Sequence, residues 1–302
     1  MSLLVTGSIG IDTVEAPSGT VTDVLGGSAV YFACAASFFV DSVRVVGVVG
    51  GDCTEEFLRP LRTNPRIDLS GLEVRPASQT FRWHGRYHAD VNIRDTIAVQ
   101  LNVLAERGPT VPPAFRDSRY VFLANSHPDL QRQLLAQLDS PALVVADTMD
   151  LWIHNEPAAL KRLLEDLDGL VLNDAEAKAL TGQSNLVEAA LATGRMVRRF
   201  VVVKKGEHGS LLVADGRVWP LPGYPTTRVV DPTGAGDCFA GAMMGHLAAA
   251  DRSDPATLRQ AIACGTVTAS LELEDFSLNA LLRITRRDID ARLNELREMT
   301  RL

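Results

Sequence analysis

The sequence lacks the features that mark several large classes of protein. It holds four cysteines in 302 residues, none of them in a Cys-x-x-Cys spacing, and no run approaches the roughly 18 apolar residues that a membrane-spanning helix requires. No Gly-x-Gly-x-x-Gly follows the first apolar run, and no Gly-x-x-x-x-Gly-Lys-Ser/Thr occurs. These absences disfavour a disulfide scaffold and a nicotinamide-dependent dehydrogenase, and they exclude a membrane helix and a P-loop nucleoside triphosphatase.

A surplus of basic residues is absent too. The chain has 30 Lys and Arg against 37 Asp and Glu, a formal net charge of −7. A dedicated nucleic-acid binder needs a basic footprint for phosphates, so none is expected, although a few backbone amides can still bind a small anion. Residues 1–10 also lack the basic start and long apolar stretch of a signal peptide. With its scattered cysteines expected to be reduced and buried, the protein is predicted to be soluble and cytoplasmic, without a membrane partner.

Short runs rich in Val and Leu dominate what is present, and most of them are separated by helical stretches. This alternation predicts an α/β fold with a mainly parallel sheet covered by helices on both faces, in which ligands collect at the carboxyl ends of the strands. No repeat, linker or low-complexity tract divides the chain, so residues 1–302 are expected to form one main domain. The predicted strands are 3–8, 42–49, 120–124, 142–146, 169–172 and 200–204, and the predicted helices are 129–138, 156–167, 174–180, 236–249, 255–271 and 286–299.

One region departs from the α/β pattern. Residues 81–92 and 97–103 each alternate apolar and polar side chains, which predicts a hairpin with one face of each kind. Residues 13–24 offer a further strand. We expect a small β lid over the active site, inserted at about 13–24 and 73–104; the alternative is an edge hairpin that only packs on the core.

The most informative segment runs from Asp231 to Met244. Its turn of Gly234, Ala235 and Gly236 leads directly into a helix of small and apolar residues. The first N–H groups of a helix have no internal partner and carry partial positive charge, so they form an anion hole that a glycine turn leaves open. Asp237 follows at once. It would serve there either as a plain helix cap or as a base beside a bound phosphate.

Those fourteen residues resemble the second signature of the PfkB, or ribokinase-like, carbohydrate kinase family, and they match it at every defined position. Other pieces follow in the family's order, over about residues 4–280. They are Gly7-Ser-Ile-Gly-Ile-Asp12, the double glycine Gly26-Gly27, Gly47-Val-Val-Gly-Gly-Asp52, Asn173-Asp-Ala-Glu176 and Lys205-Gly-Glu-His-Gly209.

The resemblance implies a ribokinase-like three-layer fold and ATP-dependent phosphorylation of a hydroxyl on a small sugar-like acceptor, with Asp237 as the base. It implies Mg²⁺ as a cofactor, reached mostly through water by Glu176, and K⁺ or a similar cation near Asp231 and Thr233. The remaining implied site residues fall into two groups: acceptor binding by Asp12, Gly26, Gly27, Gln100 and Asn102, and nucleotide binding by Asn173, Glu176, Lys205, Gly206, Gly209 and Gly265.

The acceptor stays open, because the departures from the family pattern lie on its side. The family's Asn after the double glycine is absent from Ala29-Val-Tyr31-Phe, and Gly10 and Gln100-Leu-Asn102 also differ. Aromatic residues (Tyr31, Phe32, Trp83) would suit a nucleoside, and basic lid residues (Arg82, Arg86, His88) a sugar phosphate. A nucleotide-binding regulator without catalysis is the alternative from another class. An apolar lid face would also suit a homodimer in which lids pair.

Overall fold

A computed structural model describes residues 2–301. Thirteen strands are found in this part of the chain: β1 Leu3–Thr6, β2 Gly10–Ala16, β3 Gly19–Gly26, β4 Val43–Gly50, β5 Ile67–Arg75, β6 Phe81–Tyr87, β7 Arg94–Gln100, β8 Tyr120–Leu123, β9 Leu143–Asp147, β10 Gly169–Asn173, β11 Phe200–Lys204, β12 Ser210–Ala214 and β13 Arg217–Leu221. The helices are α1 Ser28–Ala36, α2 Glu55–Arg62, α3 Pro128–Leu135, α4 Asp150–Asn155, α5 Pro157–Asp166, α6 Asp174–Thr181, α7 Leu186–Gly194, α8 Ala235–Ala250, α9 Pro255–Glu272, α10 Asn279–Arg283 and α11 Arg286–Met299.

The large sheet has nine strands in the order β13-β12-β11-β10-β9-β8-β1-β4-β5. All neighbours are parallel except at β12, which pairs antiparallel with β11 and β13. The predicted parallel strands and helices are therefore present, most with ends within two residues of those expected. The antiparallel end of the sheet was not foreseen.

Alternate residues of the central strands pack into two separate hydrophobic cores, one on each face of the large sheet. Leu3, Val5 and Phe122 pack with helices α1 and α8 on one face, whereas Leu4 and Val121 pack with α3 to α7 on the other. A strand buried on both faces needs a continuous apolar run, which is why these strands are so rich in Val and Leu. The result is the predicted three-layer α/β fold.

A second sheet of four strands has the order β3-β2-β6-β7. Its two hairpins, β2–β3 and β6–β7, are joined by parallel pairing of β2 with β6. Residues 67–75, which overlap the start of the predicted insertion, form β5 of the large sheet, so the second hairpin begins only at Phe81. No helix within residues 2–301 is both long and apolar enough to cross a membrane.

Candidate active site

The site lies where the carboxyl ends of parallel strands meet the start of α8. Strands β9, β10 and β11 are neighbours and end in Asp147, Asn173 and Lys204. Lys204 Nζ approaches the start of α8 so closely that a Cβ on Gly236 would lie 2.7 Å from it. An acidic group, an amide and an ammonium are thus assembled near one helix N-terminus.

The turn before α8 is held in a conformation that suits glycine. Gly234 is the N-cap, with φ of +87°, and a Cβ there would collide with the ring of Tyr31. Asp231 stabilises the turn, because its carboxylate accepts hydrogen bonds from the backbone N–H of Thr233 at 2.9 Å and from that of Ser277 at 3.0 Å. Within residues 2–301 the amides of the first helical turn at 236 and 237 have no backbone or side-chain partner, so they are available to an anion.

Asp237 stands in the first turn of α8, inside this cluster. Burial raises its pKa to about 6, against the opposing effect of the positive charges of Lys204 and Arg94. A carboxyl with this pKa is ionised at neutral pH yet more basic than an exposed aspartate. It therefore meets the requirement for a general base that acts near pH 7.

Asp12, a predicted acceptor-binding residue, also belongs to this cluster. It lies on β2 and is only 4% exposed, next to the double glycine that ends β3, where any side chain on Gly26 would overlap its carboxylate. Burial raises its pKa to about 7, helped by the charges of Asp231 and Asp237 and opposed by a hydrogen bond from Gly27. Its Oδ1 has no partner among the described residues. A buried acceptor atom without a donor suits a ligand hydroxyl.

Asn173 and Glu176, both predicted to bind the nucleotide, form a reciprocal capping box at the start of α6. The Asn173 side chain accepts from the Glu176 N–H, and Glu176 Oε2 accepts from the Asn173 N–H, both at 2.8 Å. Burial raises the pKa of Glu176, while Lys204 lowers it. The predicted motif is therefore built into the helix start, which fixes the Glu176 carboxylate facing Lys204.

The predicted nucleotide loop after β11 is a tight turn. Gly206 and Gly209 both have positive φ, and Lys205 bridges the loop through its N–H bond to the Gly209 carbonyl at 2.8 Å. Gly265 lies inside α9, where it permits close packing: a Cβ there would come within 2.7 Å of the Phe239 carbonyl of α8. Lys204 rather than Lys205 is the lysine whose ammonium is directed at the α8 N-terminus.

The small sheet contacts this cluster. Thr233 donates a hydrogen bond to the hydroxyl of Tyr87 at 3.2 Å, and the hairpin tip places Asn92 Oδ1 against the backbone of Gly206. Two predicted acceptor residues, Gln100 and Asn102, lie at the end of β7 and just beyond it. Gln100 is the cross-strand partner of Arg82 and so lies on the face opposite Asp12, and Asn102 donates to the Thr80 carbonyl at 2.8 Å.

Three charged residues of the site, Asp147, Lys204 and Arg94, are not among the site residues predicted from the sequence. Burial next to Asp237 raises the pKa of Asp147, and its Oδ1 is buried without a partner in the described structure. The signal that could have found Asp147 and Lys204 is their position as the last residues of apolar strands, a position equivalent to that of Asn173. Nothing in the sequence singles out Arg94 among the lid arginines.

The fold and this arrangement define a kinase of the ribokinase-like class. Residues 2–283 match the profile of the pfkB family carbohydrate kinases, so the chain belongs to the pfkB family. The predicted enzyme class, a phosphotransferase with an alcohol group as acceptor, is thereby confirmed.

Three relatives illustrate the similarity. A cytidine kinase of Thermococcus kodakarensis is 28% identical over 260 residues, which cover 84% of this chain and 90% of the relative. A nucleoside kinase of Burkholderia thailandensis, solved with inosine, has a TM-score of 0.77 at 21% identity, with 97% of this chain and 98% of that chain covered. An Escherichia coli ribokinase II candidate, solved with ATP and Mg²⁺, has a TM-score of 0.76 at 17% identity over 97% and 99% of the two chains.

Proposed function

We propose that this kinase transfers the γ-phosphate of ATP to a ribose hydroxyl of a nucleoside, with cytidine the first acceptor to test. The observation that carries the proposal is the pairing of Asp12 with Trp83. They are register partners on β2 and β6, so their side chains lie on the same face of the small sheet. One can bind a hydroxyl and the other can stack on a base. The cytidine kinase relative supports the same acceptor class.

A sugar without a base is the second candidate, since the family is one of carbohydrate kinases. A sugar phosphate has less support, because the basic side chains on which it rested are already paired. Arg82 binds Asp23 at 2.9 Å, Arg86 binds Glu15 at 2.6 Å, and His88 binds Asp95 at 2.8 Å. An anionic acceptor would have to displace these carboxylates.

In the proposed mechanism Asp12 orients the acceptor hydroxyl and Asp237 accepts its proton as the oxygen attacks phosphorus. The free amides of the first α8 turn, with Lys204 beside them, stabilise charge on the transferring phosphoryl group. The small sheet acts as a lid that excludes water as a competing acceptor. Because no covalent enzyme intermediate is needed, alignment of the two substrates supplies much of the rate.

Residues suited to Mg²⁺ are present on the nucleotide side. Mg²⁺ is usually held by one or two carboxylates together with phosphate oxygens and waters. Asp147, with its unpartnered Oδ1, and Glu176, with one oxygen not used by the capping box, supply two such groups at neighbouring strand ends. When bound, the ion neutralises the ATP phosphates.

A monovalent cation near Asp231 and Thr233 is part of the proposal. Asp231 is fully buried, and nearby Glu272 is fully buried with both carboxylate oxygens unpartnered in the described residues. A buried carboxylate needs a proton or a cation. We expect K⁺ to raise both turnover and melting temperature relative to tetramethylammonium at equal ionic strength; equal values in the two salts would remove the cation from the proposal.

The test is ADP release with ATP and Mg²⁺ across nucleosides, sugars and sugar phosphates, with Asp237→Asn as control. Turnover on nucleosides that the variant loses by roughly 10³-fold supports the proposal, since general-base catalysis is worth about 10²–10⁴. Turnover only on free sugars would transfer the assignment to the second candidate. No turnover on any acceptor, with ATP still bound, would favour the regulator without catalysis.

A further inference from the structure

We propose that Ser277 is a positioning residue: it holds Asp12 and the Gly234–Asp237 turn in register, so that the acceptor hydroxyl faces the phosphoryl group. This inference rests on the proposed function in one respect, because it takes Asp12 as the acceptor contact and the turn as the place of transfer. It does not require Ser277 to touch either substrate. Ser277 is 7% exposed and lies in the segment 273–278, between α9 and α10.

Ser277 makes two hydrogen bonds that join distant parts of the chain. Its backbone N–H donates to the Asp231 carboxylate at 3.0 Å, and its hydroxyl donates to the Leu25 carbonyl at 2.8 Å. The other oxygen of the Asp231 carboxylate accepts from the N–H of Thr233, at the start of the turn. Ser277 is therefore bonded both to the residue that supports the turn and to the end of β3.

The end of β3 determines where the Asp12 carboxylate lies. Leu25 pairs with Ile11 and directly precedes the double glycine. A Cβ on Gly26 would overlap the Asp12 carboxylate, and the N–H of Gly27 donates a hydrogen bond to it. A displacement of the Leu25 carbonyl would therefore also displace the groups that pack against Asp12.

The start of β3 is tied to the same segment less directly. The hydroxyl of Ser18 donates to the Val230 carbonyl at 2.6 Å, and the N–H of Val230 donates to the Leu273 carbonyl at 2.7 Å. The Ser18 bond is exposed, whereas the bond from Ser277 to Leu25 is buried. Water can replace an exposed donor but not a buried one, so the loss of the Ser277 hydroxyl would leave the Leu25 carbonyl unsatisfied.

The backbone at Ser277 makes a selective substitution available. Its φ of +52° lies in the left-handed region, which glycine adopts without strain. Ser277→Gly keeps the N–H that bonds Asp231 and removes the hydroxyl that bonds Leu25. Ser140 has the same φ of +52° and is exposed in the connection between α3 and β9. Ser140→Gly is therefore a matched control for the change in backbone freedom.

Steady-state kinetics test the effect on alignment. We expect Ser277→Gly to lower kcat roughly 10- to 10²-fold, since a misplacement of about 1 Å between reacting groups has a cost of that order. The KM of each substrate should stay within about threefold, and Ser140→Gly should keep wild-type kcat. A wild-type kcat in Ser277→Gly, or a change confined to KM, overturns the inference. A loss of kcat that a higher K⁺ concentration restores also overturns it, because Ser277 would then act through the cation site.

Hydrogen exchange tests the connection without turnover. When a non-hydrolysable ATP analogue with Mg²⁺ saturates wild-type protein, exchange of the amides of residues 21–29 should slow, because the turn is bonded through Asp231 and Ser277 to Leu25. Ser277→Gly should lose this slowing and Ser140→Gly should keep it. Slowing that persists in Ser277→Gly overturns the inference even if kcat falls.

A second variant keeps the inference testable if Ser277→Gly does not fold. Ser277→Cys preserves the shape of the side chain and donates only weakly, so it should reduce both kcat and the slowing of exchange. Wild-type values of both in Ser277→Cys would refute the role of the hydroxyl. If wild-type protein turns over no acceptor, the proposed function fails while hydrogen exchange still decides on Ser277.

Discussion

At the scale of single residues, the site is defined by carboxyl groups whose pKa values are raised by burial. Asp237 at about 6 and Asp12 at about 7 lie close enough to influence each other, so activity should follow the titration of the pair. Both must be ionised to accept a proton and a hydroxyl hydrogen bond. This requirement gives the pH dependence of catalysis a definite sign.

We expect kcat/KM to rise between pH 5 and about 8 and to be flat above that range. Because Lys204 lowers the pKa of Asp237, Lys204→Met should move the rising limb to higher pH. Lys205→Met is the matched control and should leave the limb in place, since the adjacent Lys205 does not face Asp237. Initial rates from pH 5 to 9 decide the point. If the rising limb moves equally in both variants, the Lys204 charge is not what lowers the pKa of Asp237.

The same burial predicts a cost in stability at Asp12. With a pKa of about 7 in the folded protein and 3.8 when exposed, this carboxyl makes the folded state bind more protons between these values, so stability falls as pH rises from 4 to 7. Asp12→Asn should therefore raise the free energy of unfolding at pH 8 by about 2–4 kcal/mol, at 1.36 kcal/mol per pKa unit, and by nearly nothing at pH 4. Urea denaturation at both pH values measures the difference.

Asp254→Asn is the control of opposite sign. Hydrogen bonds from Thr257 lower the pKa of Asp254, a half-buried helix cap, to about 2. Removing its charge should give no stabilisation at pH 8. Equal stabilisation by both substitutions would mean that net charge, rather than burial of Asp12, is responsible.

At the scale of elements, the turn into α8 depends on the absence of a side chain at Gly234. Gly234→Ala should lose about 1–2 kcal/mol for the left-handed backbone and a further 1–3 kcal/mol for the collision with Tyr31. It should also lose nucleotide binding. Gly182→Ala isolates the first contribution, because Gly182 has φ of +68° and nothing within 4 Å of its added Cβ. Denaturation and calorimetry together measure both effects, and equal losses of stability in the two variants would exclude the collision.

Elements and motifs with strong local signals could be predicted from the sequence. The turn at 234–237 and the capping box of Asn173 and Glu176 are each formed by residues close together in the sequence. Their contacts are therefore local and do not depend on how the rest of the chain folds. Asp147 and Lys204 belong to separate strands whose ends meet only because β9, β10 and β11 are neighbours in the sheet. That adjacency is set by tertiary packing rather than by any local pattern.

The lid shows the same limit more sharply. Alternation of side chains predicted the hairpin, but a shift in register between His84 and Gly85 decides which residues of β7 face the site. Gln100 was expected there and lies on the other face. Arg94 could be distinguished from Arg82 and Arg86 only once their carboxylate partners on β2, β3 and elsewhere were known.

At the scale of the whole molecule, the large sheet carries the proposed catalytic groups at the carboxyl ends of its strands, and the small sheet is the proposed lid. One edge of the small sheet is the outer side of β7, the last strand in the order β3-β2-β6-β7, and all residues of β7 are exposed. Ile97 and Val99 are 45% and 53% exposed there. An exposed apolar edge strand favours pairing with another chain. A second copy of this chain, docked lid to lid, is the occupant we propose.

Sedimentation velocity at micromolar concentration tests the dimer. Wild-type protein should sediment as a dimer and Val99→Lys as a monomer, because a charge at the edge strand must lose its hydration on pairing. Val187→Lys, which changes an apolar residue of similar exposure (45%) on α7, should stay dimeric. Since the lid also covers the site, the monomeric variant should show a higher KM for the acceptor. A wild-type monomer, or a dimer that persists in Val99→Lys, would contradict pairing through β7. The exposed strand would then serve lid movement within a single chain.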